Sequence, residues 1–275
     1  MNTALNTALN TALPRRCARA LAVALLSATV WAFPARAQRT SGIDGADRDS
    51  TAALAWLDRL DLSARYGTFL PSGGSELYAL LDDALMPGAR VLRPRLVGGE
   101  LHVRLTDRWG LLVGTEGGGS TVASVSRVGP EAASGDVRQH TSLALASAQY
   151  VGAEWRAYQW HGQGGEVVGQ PRLVLRAGAG TARYRLRQWG EFVDVERRMA
   201  FHDDFTSARR GTFAYASAAL EVPLNRWAAL QGELRRQAGS APMSADYAEF
   251  DRLDLGGTMF SVGVLVHPAA LFERR

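Results

Sequence analysis

Near its C-terminal end the chain reads LDLGGTMFSVGVLV (Leu253 to Val266), with Phe260, Val262, Val264 and Val266 on one phase of a two-residue period and Gly257, Met259, Ser261 and Gly263 on the other. Successive side chains of a strand point to opposite faces, so this alternation defines two surfaces of different chemistry. The pattern recurs. Strands are predicted near Asp61 to Leu70, Val91 to Leu105, Trp109 to Arg127, Arg138 to Trp160, Pro171 to Leu186, Gly211 to Val222, Trp227 to Gln237 and Leu253 to Val266. Eight alternating segments of about ten residues or more make an all-β pattern.

The amino terminus constrains where such a chain works. Three copies of Asn-Thr-Ala-Leu precede Arg15, Arg16 and Arg19, an apolar run from Ala20 to Phe33, and Ala35-Arg36-Ala37. A basic region, a short apolar run and an A-x-A site predict a secretory signal peptide over residues 1–37, too short for a good membrane span. Residues 38–60 read as a flexible polar segment, 61–268 as the strand-rich domain and 269–275 as a tail. The leader holds four of the 31 basic residues and no acid, so the mature chain carries 27 basic against 27 acidic residues. That balance argues against nucleic acid as a partner. Every basic residue is Arg, which excludes lysine chemistry, and the one cysteine, Cys17, leaves with the leader, which excludes disulfides and thiolate sites.

Connection lengths order the strands. Thr106-Asp107-Arg108 and Pro223-Leu224-Asn225-Arg226 are short links, each followed by Trp, whereas Pro71 to Arg90, Val128 to Val137, Arg187 to Arg210 and Ala238 to Arg252 are long. In an up-and-down meander the long links then gather at one end and the short ones at the other, the asymmetry of an outer-membrane barrel. The link His161 to Gln170 breaks the rule and is expected to protrude. Ser75 to Leu85 has helical spacing and predicts a short helix in the first long link.

The two phases decide what each face meets. One phase is Leu, Val, Ala and Phe, with Val97, Leu101, Val103, Leu105, Leu143, Leu145, Val151 and Ala153 among them. The other mixes glycines with charges of both signs: Arg65, Glu100, His102, Arg104, Glu116, Glu154, Arg156, Arg176, Glu221, Glu233 and Arg235. Facing water, those glycines only weaken strands; lining a narrow lumen, they make room for arginines that pair with glutamates. The apolar phase then faces acyl chains, where a charge costs about 2–4 kcal/mol near the midplane. Aromatics beside the links fit two girdles: Trp109, Trp155, Trp160 and Trp227 at the short-link end, and Tyr66, Phe69, Tyr184 and Trp189 at the other.

With the signal peptide, the meander, the link asymmetry and the stretch GGTMFSVGVLV, the chain resembles the small eight-stranded outer-membrane barrels of the outer-membrane protein A-like and opacity-protein-like group, over about Asp61 to Pro268. The resemblance implies an antiparallel up-and-down eight-stranded transmembrane β-barrel with long extracellular loops in the bacterial outer membrane. It also implies outer-membrane lipid and lipopolysaccharide as surroundings, assembly machinery as a partner during insertion, and a monomer. Members usually end on an aromatic residue; here Glu273-Arg274-Arg275 follow Phe272.

No catalytic, metal or cofactor site is expected. His202-Asp203-Asp204 reads as a solvated loop, HGQGGE (His161 to Glu166) lacks a partner nucleophile motif, and His267 is followed by Pro268 where a lipid hydrolase would need a His-Ser pair. Arg183, Arg185, Arg187, Arg197, Arg198, Arg209 and Arg210 gather around the fifth-to-sixth link, and guanidinium groups suit lipid-A phosphates. Neutralisation by nearby Glu191, Asp194, Glu196, Asp203 and Asp204 is the competing reading. Arg183, Arg185 and Arg187 continue the apolar phase of the fifth strand, so either a bulge intervenes or the strand has left the membrane there. The expected role is structural, adhesive or envelope-protective, with a charge-plugged lumen. A narrow solute channel, a membrane-embedded lipid-modifying hydrolase and a soluble barrel with a lipophilic ligand stand as alternatives.

Overall fold

The computed structural model describes residues 56–88, 91–127, 137–159, 170–194, 197 and 199–272. The signal peptide, most of the 38–60 segment, HGQGGE, Trp160, Glu196, Arg198 and residues 273–275 lie outside them. The elements run β1 (Leu60–Pro71), α1 (Glu76–Ala84), β2 (Leu85–Met86), β3 (Arg95–Arg104), β4 (Trp109–Ser126), β5 (Arg138–Gln159), β6 (Arg172–Asp194), β7 (Met199–Pro223), β8 (Ala228–Pro242), β9 (Arg252–Asp254), β10 (Gly257–Val266) and α2 (Ala269–Phe272). Eight of the strands form one antiparallel ring, β1-β3-β4-β5-β6-β7-β8-β10, closed by pairing of β10 with β1 from Leu62↔Val266 to Pro71↔Gly257. Closure leaves no strand edge in the ring, the condition a sheet must meet where no water is available to its amides.

Side chains at the short links explain two of the turns. Thr106 Oγ1 accepts hydrogen bonds from the amides of Arg108 (3.3 Å) and Trp109 (3.0 Å), and Asn225 Oδ1 from those of Trp227 and Ala228 (both 2.9 Å). A short polar side chain that captures amides two and three residues on holds the chain in a tight reversal without further residues.

Strand lengths differ systematically. β3 and β10 have 10 residues each; at about 3.3 Å per residue and a tilt near 40° that is about 25 Å of height, the thickness of an outer-membrane apolar band. β6 and β7 have 23 and 25 residues and pair without interruption to Asp194↔Met199. The span Arg187 to Arg210, expected as a loop, is therefore a continuation of this hairpin, because the alternation of residues 199–210 is blurred by charges that sit on exposed strand. With β5 paired up to Gln139↔Gly190, the hairpin forms a three-stranded wall rising past the ring.

The wall has an apolar inner face, and two of the long links fold over it. Ser75 caps α1 by accepting from the Tyr78 amide (3.4 Å), and the helix buries Leu77, Tyr78 and Leu81. The chain then docks along upper β4, where the Arg127 amide donates to the Ala84 carbonyl (2.9 Å). After β8, Tyr247 donates to Gln188 Oε1 (2.5 Å), the Thr206 amide donates to Asp246 (2.8 Å) and Tyr184 donates to the Pro242 carbonyl (2.9 Å). Asp254 joins the two links, accepting from Ser72 Oγ and from the Gly74 amide (3.0 Å). Beneath them lies one apolar cluster that includes Phe69, Leu81, Leu143, Leu145, Tyr184, Leu186, Phe213 and Met259. At about 1.5–3 kcal/mol for each large side chain withdrawn from water, it is what holds this end shut.

This cluster corrects two expectations. Leu143 and Leu145 point inward, because a bulge between Leu145 and Ser147 swaps the faces of β5 above it. Phe69 and Tyr184 are buried in the cluster and belong to no outer girdle. β6 itself keeps its phase throughout, so Arg183, Arg185 and Arg187 face outward where the strand has risen beyond the apolar belt.

Candidate functional site

The short-link half of the lumen is filled by charge. Glu100 on β3 sits at the centre: Arg65 Nη1 is 2.9 Å from Oε1, Arg235 Nη2 3.1 Å from the same oxygen, Arg176 Nη1 3.6 Å from Oε2, and Tyr150 donates to Oε1 at 2.8 Å. Arg65 also reaches Glu233 (2.7 Å) and Glu116; Arg235 reaches Glu233 (3.2 Å) and Glu116 (3.5 Å). Arg176 extends the chain of pairs to Glu221 (3.1 Å), Glu233 (3.4 Å) and Glu154 (3.6 Å). At the mouth, Asp61 meets Arg104 and Arg156, each at 3.7 Å, and His267 at 2.6 Å. All eleven residues read from the sequence as one lumen-facing set therefore come together.

Their signs balance. Six carboxylates (Asp61, Glu100, Glu116, Glu154, Glu221, Glu233) face six guanidiniums (Arg65, Arg104, Arg156, Arg172, Arg176, Arg235). Buried ions are tolerated only when paired and hydrogen-bonded, and the Arg235 side chain, wholly buried, has three carboxylates around it. Its guanidinium is also held by two aromatic faces, 4.6 Å from the Tyr150 ring centroid and 4.4 Å from that of Tyr215.

Those rings account for two of the lumen glycines. A Cβ on Gly114 would run into the Tyr150 ring, and one on Gly178 would lie 2.8 Å from Tyr215 Cε1. At these positions glycine seats the tyrosines and the tyrosines seat the arginine, while at Gly263, where a Cβ would lie 2.9 Å from Arg65 Cβ, glycine makes room for an arginine directly.

One grouping has the order of contacts of a nucleophilic triad. Ser63 Oγ lies 3.3 Å from His102 Nε2, and His102 Nδ1 2.9 Å from Glu154 Oε2. A triad also needs an open position beside the nucleophile and donors for an oxyanion. Ser63 instead donates to Glu100 Oε2 at 3.4 Å, and the buried Arg176 guanidinium fills the space between Glu100 and Glu154. Among the described residues no group of His, Cys, Asp and Glu is arranged to hold a metal ion.

Outside, the ring is oily. Leu111, Val113, Val151, Leu220, Leu230, Leu234, Phe260 and Val264 are exposed on the outer face, and Val262 is 62 % exposed. Trp109 and Trp155 stack at 6.2 Å at the β3–β4 short turn, and Trp227 is exposed at the β7–β8 short turn. Charge inside and hydrocarbon outside inverts the soluble arrangement, and such a surface is solvated by acyl chains.

The chain is similar to small eight-stranded outer-membrane barrels. Solved structures that match include the outer membrane protein OprG from Pseudomonas aeruginosa (9 % identity, 75 % of this chain and 94 % of that one, TM-score 0.41). Neisserial surface protein A matches at 11 % identity over 76 % and 95 % of the two chains, with a TM-score of 0.37. The N-terminal β-barrel domain of Pseudomonas aeruginosa OprF matches at 13 % identity over 76 % and 97 %, with a TM-score of 0.35. No protein-family model and no curated protein matches the sequence.

The arginines of the wall divide by face. Arg183, Arg185, Arg187 and Arg210 share the outward phase; Arg209 is opposite inward-facing Tyr184; Arg197 is at the hairpin turn, 3.7 Å from Asp194. Arg187 is taken by Asp204, its Nε donating to Oδ1 at 2.8 Å, and packs 5.0 Å from the Trp189 ring centroid. That contact holds the exposed Asp204 carboxyl below the usual aspartate range. His202 and Asp203 lie on the exposed end of β7.

Tyr150, Tyr215, Asp61 and Arg172 belong to the lumen assembly but were not singled out from the sequence. Tyr150 was legible, since it shares the phase of Glu154 and Arg156, but Tyr215 and Asp61 carried no signal beyond alternation. Only the cross-lumen contacts reveal what they do.

Proposed function

We propose that this chain is an integral protein of the bacterial outer membrane, inserted by the assembly machinery, with a structural, adhesive or envelope-protective role and a lumen closed to solutes. The observation that supports it is the double closure of an inside-out barrel: a neutralised ion layer at one level and an apolar cluster under folded links at the other. Lipopolysaccharide is the natural neighbour of the wall, and the closed ring favours a monomer, since each strand already has both partners. The contacts of the protein with the outside world fall to the β6–β7 hairpin, which rises furthest from the ring.

Two measurements test this. Membrane fractionation with heat-dependent gel mobility should place the folded chain in the outer membrane and show a faster band before boiling. Planar-bilayer recording should show no unitary conductance; steady ion-sized openings would overturn the closed lumen in favour of the channel. The hydrolase reading predicts altered lipid A in cells carrying the protein and a loss of that change in Ser63→Ala.

A further inference from the structure

On the outer face of the β5–β6–β7 wall, the rung Gln149↔Thr181↔Thr212↔Ser240 ends the apolar belt with a line of neutral polar side chains. The next rung is Ser147↔Arg183↔Arg210. Like charges directly opposite on an antiparallel pair repel, with Cβ atoms only about 5 Å apart. One step higher, Arg185 lies between Ala144 and Ala208, so that its guanidinium has small neighbours on both sides. Among the described residues no carboxylate pairs with Arg183, Arg185 or Arg210, whereas Arg187 just above is already paired with Asp204.

From Leu173 at the base of the belt to Arg183 the strand climbs about 25 Å, by the rise and tilt used above. That is the level at which the hydrocarbon ends and headgroups begin. We propose that Arg183, Arg185 and Arg210 form a binding site for the phosphate groups of outer-leaflet lipid headgroups. The anion that relieves the Arg183–Arg210 repulsion comes from the membrane, and planar guanidiniums grip its oxygens in pairs. The inference rests on the membrane-spanning reading of the barrel and adds the ligand chemistry and the residues to it.

The test uses the full chain in detergent micelles, titrated with lipid A, with its dephosphorylated form and with inorganic phosphate alone. The wild type should bind lipid A at least tenfold more tightly than the Arg183→Gln/Arg185→Gln/Arg210→Gln variant, and should bind the dephosphorylated lipid as weakly as that variant does. The triple substitution removes a repulsion and is expected to leave folding intact, which heat-dependent mobility checks. Arg197→Gln, at the hairpin turn, should bind like the wild type. Equal affinity of wild type and triple variant, equal loss in Arg197→Gln, or displacement of lipid by equimolar inorganic phosphate would each overturn the headgroup site. Failure of the membrane reading is separately visible, as a wild-type chain that stays soluble without detergent.

Discussion

Replacing Glu100 by Gln isolates what the buried ion layer contributes. The substitution keeps the shape of the side chain and removes one negative charge from among Arg65 (2.9 Å), Arg235 (3.1 Å) and Arg176 (3.6 Å). It also turns an NH₂ group toward donors that had faced an acceptor. Breaking a buried ion network by removing one member costs about 3–5 kcal/mol, because the partners stay buried without their counter-charge. An exposed pair would cost about 0–1 kcal/mol. A loss near 4 kcal/mol corresponds to roughly a thousandfold shift in the folding equilibrium. Urea unfolding of lipid-inserted protein, followed by tryptophan fluorescence, reads this directly. Adding Arg235→Gln restores the balance of signs, so the double variant should lose less than the two single losses combined, with a coupling of about 0.5–3 kcal/mol. A single-variant loss below about 1 kcal/mol, or strict additivity in the double variant, would refute the view that the lumen is held by mutually dependent charges.

Other outcomes follow from other parts of the molecule. Gly114→Ala should destabilise by about 1–3 kcal/mol through overpacking against the Tyr150 ring, and an unchanged melting temperature would show that the ring does not depend on that space. Leu81→Asp in α1 should release the helix from the apolar cluster and speed amide exchange over residues 76–84 by roughly tenfold or more, with the ring strands still protected. The carboxyl of Asp204, depressed by Arg187, should protonate below the ordinary aspartate midpoint in a carboxyl-carbon NMR titration. Its contribution to the hairpin is present above the unfolded aspartate pKa and is lost as pH falls through the lowered one; a midpoint at or above the ordinary value would remove the pair.

Alternation alone determined much of this protein. From Phe260, Val262 and Val264 against Gly257, Ser261 and Gly263, and from the same period elsewhere, the strands and the lumen-facing charges were legible, because a strand's two faces differ by one residue whatever the fold around them; link lengths supplied the order. The helix in the first long link was legible too, through the spacing of Leu77 and Leu81. Tertiary structure alone decided what lies between. One bulge on β5 turned Leu143 and Leu145 from the lipid face to the interior, and no local pattern marks where such an extra residue sits. Residues 187–194 and 199–210 kept strand pairing through a polar sequence because each strand supplies the other's hydrogen-bond partners. Arg65 meets Glu233 across 168 positions of sequence, and Arg235 lies against Tyr150 and Tyr215. Such contacts are set by ring closure, which brings distant strands to the same depth in a lumen too narrow for water to screen their charges.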